Sequence, residues 1–431
     1  MQAERVEPGE WFKTDNASKI YSSAVSRRIT FTYRLAVSLK DIVQITRLQE
    51  ALDHTMERFP YYKVQLRRGV FWYFFERNPA RPKVVADARY PAMDLPVKRR
   101  GTFPFRVRAF HNRIAVEVSH TLTDGMSALT FLRTLTCEYL RISGVEIQDW
   151  GDIPRPGERF DPEEMIDDYK RYMRKEAPKA MSKEEGFHLP FPLEPKGVHH
   201  VLHATMKVSE VLALAKQNNA SMTEYLLALY FDAFQELYKE LPRRSRKKAK
   251  RIIRLMVLVN LRRFFPSKSM FNFFLFVDPE IDIRLGHYSM EELIRRVRHY
   301  MKLEINAKNM LKHLARNVKS EQSAFNRIIP LFIKDIILTV VVAAIGQKPI
   351  TSSGSTLGRL QMPEECVPHI ERFEFVPPAS PTTKVNMSMV SFQDELCITF
   401  GSVVASREVE RLFLTRLRKL GIRIKVESND Q

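Results

Sequence analysis

Between Ile114 and Leu140 the hydrophobic period of the chain changes across one short turn. Ile114, Val116, Val118 and His120 alternate at the spacing of a strand. Phe131, Leu132, Leu135, Tyr139 and Leu140 then recur at the spacing of a helix that begins near Met126. Strand, turn and helix in direct succession call for a mixed α/β layer structure, with His120, Thr121, Leu122, Thr123, Asp124 and Gly125 in the turn. An imidazole that ends an apolar strand face is expected at the edge of the core. There it could take a proton from a bound hydroxyl, the usual work of a histidine. Asp124 can cap the following helix or hold the turn through a buried ion pair. Gly125 would permit a conformation or a close approach that a Cβ forbids.

The same vocabulary runs along the chain. Thr30–Val37, Val70–Glu76 and Phe105–Phe110 read as further strands, with His111, Asn112 and Arg113 as a hairpin turn, and Ile45–Arg58 reads as an amphipathic helix. From about Trp150 to Lys196 proline and charge accumulate, which marks the expected crossover between two units. Beyond it His203–Val208, Ile252–Val259 and Phe271–Val277 read as strands and Thr223–Leu237 and Met290–Leu303 as helices. Val385–Met389 and Glu395–Phe400 form a predicted hairpin around Asp394. At 431 residues the chain exceeds one ordinary core, and its 44% hydrophobic and 28% charged residues can fill two. The expectation is two halves, 1–180 and 181–431, alike in element content without a repeat of fixed period, and a site between them.

The net charge of +19 implies attraction to anions, whether phosphorylated cofactors, acidic headgroups or nucleic acid. Arg243, Arg244, Arg246, Lys247, Lys248, Lys250 and Arg251 concentrate part of it in a run expected to be a solvated loop. No aromatic interleaving accompanies that run, so no specific nucleic-acid partner is expected. Cys137, Cys366 and Cys397 lack the spacing of a disulfide framework or a thiolate zinc site, and a reducing cytoplasm fits them. Met1 to Glu7 carries acidic residues and no apolar run, which argues against a secretory signal. His199, His200 and His203 sit in a strand-like context without an acidic third ligand, so no metal site is expected. Ile328–Ile345 is strongly apolar but interrupted by Pro330, Lys334 and Asp335. It is too short to span a bilayer and is expected to be a buried core helix.

Ser119–Gly125 resembles the His-His-x-x-x-Asp-Gly signature of the CoA-dependent acyltransferase superfamily, which includes chloramphenicol acetyltransferase, peptide-synthetase condensation domains, plant acyltransferases and alcohol acetyltransferases. Ser119 stands at the first His, and the family's catalytic base falls on His120. Val259-Asn260-Leu261-Arg262 followed by Asn272 is similar to the superfamily's Asn-Leu-Arg strand end and downstream Gly-Asn element, with Phe271 in place of the Gly. Ser355-Thr356-Leu357-Gly358 is similar to its Ser-Asn-Leu-Gly element, with Thr356 replacing Asn. These segments cover most of the chain in the family's order. The overall look is that of the bacterial alcohol acetyltransferase-like branch. The plant branch's Asp-Phe-Gly-Trp-Gly is absent, and Ser119 disfavours condensation-domain chemistry.

The resemblance implies an α/β (α+β sandwich) fold of two chloramphenicol-acetyltransferase-like halves with the active site in a tunnel between them. It implies a CoA-dependent O-acyltransferase that moves an acetyl or other short to medium acyl group to an alcohol. His120 would be general base, Asp124 would pair with Arg262 from the other half, and Gly125 would shape the turn. Ser119, Asn272, Ser355, Thr356 and Gly358 become candidates for lining the tunnel. Acyl-CoA is the co-substrate, and no tightly bound cofactor or metal is expected. The other expected partners are a small or lipophilic alcohol and an anionic membrane surface, with the basic run serving either that surface or CoA phosphates. The chain is expected to be a monomer in the cytoplasm or peripheral at a membrane. Two other readings stay open: a condensation-type enzyme using a carrier-protein thioester, and a non-catalytic binding protein of the same fold.

Overall fold

Strands with apolar faces need helices or a second sheet to cover them, and the described residues build three sheets. The computed structural model describes residues 10–26, 29–93, 95–173, 183–322 and 329–430. The expected boundary at 180/181 and the N-terminal segment Met1 to Glu7 lie outside them. The first sheet has five strands in the order Ile370–Val376, Thr32–Leu39, Arg113–Ser119, Phe105–Phe110, Val84–Ala86. Helices Ile45–Arg58 and Gly125–Ile142 pack together beside it. The second has eight strands: Phe274–Val277, Ile252–Asn260, Ser352–Leu360, Val385–Phe392, Glu395–Ser402, His200–Lys207 and Lys425–Ser428 in that order, with Glu280–Asp282 also paired to Ile252–Asn260. Helix Met222–Glu240 packs against this sheet and against helices Met290–Glu304 and Glu408–Lys419. Trp11–Lys13, Tyr73–Arg77 and Val64–Arg68 form the third sheet. Two clusters of buried apolar side chains result, one for each large sheet.

The two lobes, one around each large sheet, are interleaved. Ile370–Val376 comes late in the chain but pairs antiparallel with Thr32–Leu39, closing the first sheet with a strand from the second half. Every residue of Arg113–Ser119 after Arg113 is buried, so both faces of this strand are covered, where alternation alone shows only one apolar face. Glu117 is fully buried and meets Arg34 at 3.5 Å and Arg108 at 3.1 Å, with Arg106 against the same carboxylate. Glu374 meets Arg372 at 3.0 Å, Arg113 at 3.5 Å and His203 at 3.6 Å. Burial alone would raise Glu374, but His203 and the arginines hold it down to about 2. Removing one partner from such a network costs about 3–5 kcal/mol, because a charge is left buried and unpaired.

Two expectations are corrected here. The apolar stretch is not a core helix: Leu331–Val341, continued by a π-helical turn Val342–Gln347, lies on the surface with only Leu331 and Lys334 buried among its first eleven residues. Apolar side chains seek an apolar partner, and nothing in their sequence says that the partner is the same chain. No helix among the described residues is long and apolar enough to cross a membrane. The basic run is not a loop, since Arg243–Lys248 forms a short helix with no buried residue.

Candidate active site

The strand Arg113–Ser119 ends one residue before His120, but the His120 N–H still bonds the Phe31 carbonyl at 2.9 Å. The imidazole therefore leaves the sheet from a fixed backbone. It is half-buried, with Tyr33, Tyr21 and Phe274 around it at ring-centre distances of 4.5, 5.2 and 5.5 Å. Burial among these rings pulls it down to about 4, opposed first by the Asp124 charge and then by Asn272 and the Thr123 backbone. At neutral pH the ring is uncharged, the form that accepts a proton. Its Nδ1 is buried without a hydrogen-bond partner among the described residues.

The turn that follows is pinned from within and from the other lobe. Thr121 donates to the Ser119 hydroxyl through its N–H (3.2 Å) and its own hydroxyl (3.1 Å), and Tyr33 donates to the Thr123 carbonyl at 3.2 Å. Ser119, a candidate for lining a tunnel, is fully buried and presents no surface to a ligand; its side chain closes the turn. Asp124 performs both functions that its position allows. One oxygen accepts from Ser127 N–H at 3.0 Å and caps helix Gly125–Ile142. The other accepts from Arg262 and from Phe273 N–H, both at 2.8 Å. Burial would raise this carboxyl, but the Arg262 guanidinium and the two backbone N–H groups hold it below its ordinary value.

Arg262 follows the strand Ile252–Asn260 on a 3₁₀ turn capped by the Asn260 side chain. Besides Asp124 it donates to the Ser127 hydroxyl at 3.0 Å and to the Ser269 and Phe271 carbonyls at 2.8 Å. One guanidinium thus ties the start of a first-lobe helix to the loop that carries Asn272. Asn272 is buried and directs its Nδ2 to the His120 carbonyl (3.0 Å), Asp15 (3.0 Å) and the Ser18 hydroxyl (3.1 Å). Its Oδ1 is buried and unpartnered among the described residues.

Asp15 was not visible in the sequence. It caps helix Asn16–Ala24, the helix that supplies Tyr21, by accepting from Ser18 N–H at 2.8 Å. Burial, with Asp167 nearby, pushes its carboxyl up to about 7. An Asp three residues before a Ser reads as any helix start, and no local signal connects it to His120.

Ser355, Thr356 and Gly358 lie on the strand Ser352–Leu360, whose register with Val385–Phe392 shifts between Thr356 and Arg359. Ser355 is buried, the Thr356 hydroxyl accepts from Gly358 N–H at 3.0 Å, and Gly358 has a φ of 76° that favours glycine. This irregularity faces the start of helix Gly125–Ile142: a Cβ built on Gly125 would come 3.4 Å from Leu357 Cδ2. The expected need for glycine at Gly125 is corrected by the same observation. That contact is ordinary, and Gly125 is not among the residues of positive φ.

His199, His200 and His203 converge on no common point. His199 donates Nδ1 to the Pro91 carbonyl at 2.9 Å, His200 contacts Glu194 and Asp430, and His203 meets the Thr399 hydroxyl at 2.9 Å. Among the described residues, the group of side chains close enough to share an ion is Asp232, Glu236 and His287, where Asp232 already meets Gln235 and Arg416. Open cavities of about 1010 and 920 Å³ occur elsewhere, and His120 lines neither. His120 is nevertheless partly exposed, with Phe274 of the second lobe 5.5 Å from its ring.

No protein-family model matches the chain, and no curated protein matches it in sequence. Solved structures do. TRI101 of Fusarium sporotrichioides, complexed with coenzyme A and T-2, superposes with a TM-score of 0.63 at 9% identity, covering 96% of this chain and 99% of its own. The trichothecene 15-O-acetyltransferase TRI3 of Fusarium sporotrichioides gives 0.58 at 11% identity, covering 94% of each chain. The first condensation domain of the CDA synthetase gives 0.57 at 13% identity, covering 96% of this chain and 95% of its own. The architecture is therefore the mixed α/β fold shared by CoA-dependent acyltransferases and condensation domains.

Proposed function

We propose that this chain transfers an acyl group from acyl-CoA to an alcohol in one step, with His120 as general base. The observation that carries the reading is a neutral, partly open imidazole at the lobe junction, whose turn is anchored by Arg262 and Asn272 from the other lobe. With Nδ1 turned into the protein beside Asn272, Nε2 is the nitrogen left to meet a substrate. It takes the acceptor's hydroxyl proton as the oxygen attacks the thioester carbonyl. The tetrahedral intermediate then collapses, the C–S bond breaks, and the imidazolium returns the proton to the departing thiolate. No acyl-enzyme forms. Asp124, whose charge is the chief influence favouring the cation, stabilises the imidazolium during attack. Asn272 is a positioning residue that holds the backbone of His120 and offers Oδ1 towards Nδ1.

Two structural relatives favour this donor and acceptor chemistry: one is named an O-acetyltransferase, and one is solved with coenzyme A. The condensation-domain relative favours a second reading, in which the thioester is on a carrier protein. A thiol-release assay over acyl-CoAs of increasing chain length, against a panel of alcohols, tests the proposal. Thiol release that depends on the alcohol is expected, together with a higher melting temperature in CoA. Neither effect with any pair would favour the carrier-protein or non-catalytic reading.

A further inference from the structure

A helix at a protein surface normally turns its apolar stripe inward. Leu331–Val341 does the reverse. Its ionised residues face the protein: Lys334 is buried, donates to the Phe71 carbonyl at 2.9 Å and sits 3.6 Å above the Trp72 ring, while Asp335 accepts from the Tyr73 hydroxyl at 3.0 Å. Phe332, Ile336 and Val340 point outward and are 59%, 67% and 60% exposed, with Ile333, Ile337 and Val341 also exposed beside them. The apolar surface continues onto Val70, whose carbonyl accepts from Leu331 N–H at 2.8 Å, and onto Phe71. A patch of this kind marks a surface made for an apolar partner.

Its rim is cationic and aromatic. The adjoining open groove of about 920 Å³ is lined by Trp11, Phe71 and Trp72 together with Lys13, Lys19 and Lys170, against Glu10 and Glu76. Arg68 lies 3.8 Å from Asp335, and Lys98 lies 5.3 Å from the Tyr73 ring. Tryptophan and lysine around an outward apolar stripe suit the boundary between headgroups and acyl chains. On a chain of net charge +19, a cation-rimmed face repels its own copy and attracts an anionic one.

We infer that this face docks on an anionic lipid bilayer, with helix Leu331–Val341 lying in the plane of the interface and the exposed Lys13, Arg68, Lys98 and Lys170 on the headgroups. The element that meets the membrane is thus this helix, and not the basic run 243–251. The helix packs against Asn16–Ala24, whose Tyr21 ring lies on the His120 imidazole. The docking does not depend on the acyl-transfer reading.

The test is co-sedimentation of the full chain with vesicles of phosphatidylcholine, alone or mixed with phosphatidylglycerol, at low and high salt. Binding to the mixed vesicles that weakens with salt is expected. The double substitution Ile336→Glu and Val340→Glu should weaken it about tenfold or more, because each apolar side chain that would enter the bilayer is exchanged for a charge. Both positions are exposed, so the melting temperature should not move. Absence of vesicle binding, or equal binding by the double variant, overturns the inference. So does a wild-type dimer that the double variant converts to monomer, since the partner is then a second copy. If acyl transfer is absent with every acceptor while vesicle binding is present, the catalytic reading fails and the docking stands.

Discussion

His120 and His199 look alike by electrostatics and differ in access. Burial pulls each imidazole down to about 4, and each has one buried ring nitrogen without a partner among the described residues. His199 is enclosed completely: its Nδ1 donates to Pro91 at 2.9 Å, and Gly401 packs so near that a Cβ there would come 2.7 Å from Nε2. It fastens the first lobe to the second. His120 keeps an open edge, and residues of the opposite lobe hold its turn. A lowered pKa thus records burial, whereas access and anchoring across the junction distinguish a candidate base from a structural ring.

Removing each ring in turn tests that contrast. His120→Ala should lower turnover by about 10²–10⁴, the range for a general base, with an unchanged melting curve. His199→Ala should leave the turnover of folded protein intact and cost about 1–3 kcal/mol of stability in denaturant unfolding. Equal kinetic losses in the two variants would erase the distinction.

The anchoring can be tested next. Arg262→Ala leaves the Asp124 carboxylate buried without its cation and should cost about 3–5 kcal/mol, with activity falling in the fraction that still folds. Asp124→Asn retains an oxygen to cap the helix and should cost less, about 1–3 kcal/mol, together with a loss of rate. If Asp124→Asn changes neither melting temperature nor rate, the residue is a helix cap and nothing more.

Acidity separates the two rings in another way. Below about pH 6.5 the unfolded chain protonates both histidines while the folded chain refuses the proton until about pH 4. Stability contributed by the neutral rings is therefore complete above 6.5 and is lost as pH falls through that window. His199→Gln should flatten the decline without moving the acid limb of kcat/KM, which should follow His120 and lie well below 6.5. An acid limb at 6.5 in wild-type protein would place the catalytic ring in open water. The smallest change is expected from Gly125→Ala, which should be neutral within about 1 kcal/mol in thermal unfolding. A large loss would reinstate a close approach at that position.

Local completeness decides how much of this was legible. Ile45–Arg58 and Phe105–Phe110 form with the bounds their patterns give, and Thr223–Leu237 grows only to Met222–Glu240, where Ser221 and Glu224 form a capping box. The strand Ile370–Val376 was not readable, because Glu371, Arg372 and Glu374 break the apolar pattern, and their charges are balanced partly by one another and partly by Arg113, His203 and Glu427 from other strands. Helix Leu331–Val341 was readable as a helix but was assigned to the wrong environment, since hydrophobicity states a need for a partner without identifying it. Within the site, His120, Asp124, Arg262 and Asn272 occur in compact motifs. Tyr21, Tyr33 and Phe274 reach the imidazole, and Asp15 reaches Asn272, only through tertiary packing. Spacing along the chain carries no trace of such contacts.

Nitrogen-15 NMR of the labelled imidazoles, with His120 assigned by its loss in His120→Gln, observes the proposed base itself. At pH 7 His120 should be neutral, with the proton on Nδ1 and the lone pair on Nε2, and should titrate near pH 4. A proton resident on Nε2, or a cationic ring at neutral pH, would mean that the imidazole has no free electron pair to offer an incoming hydroxyl.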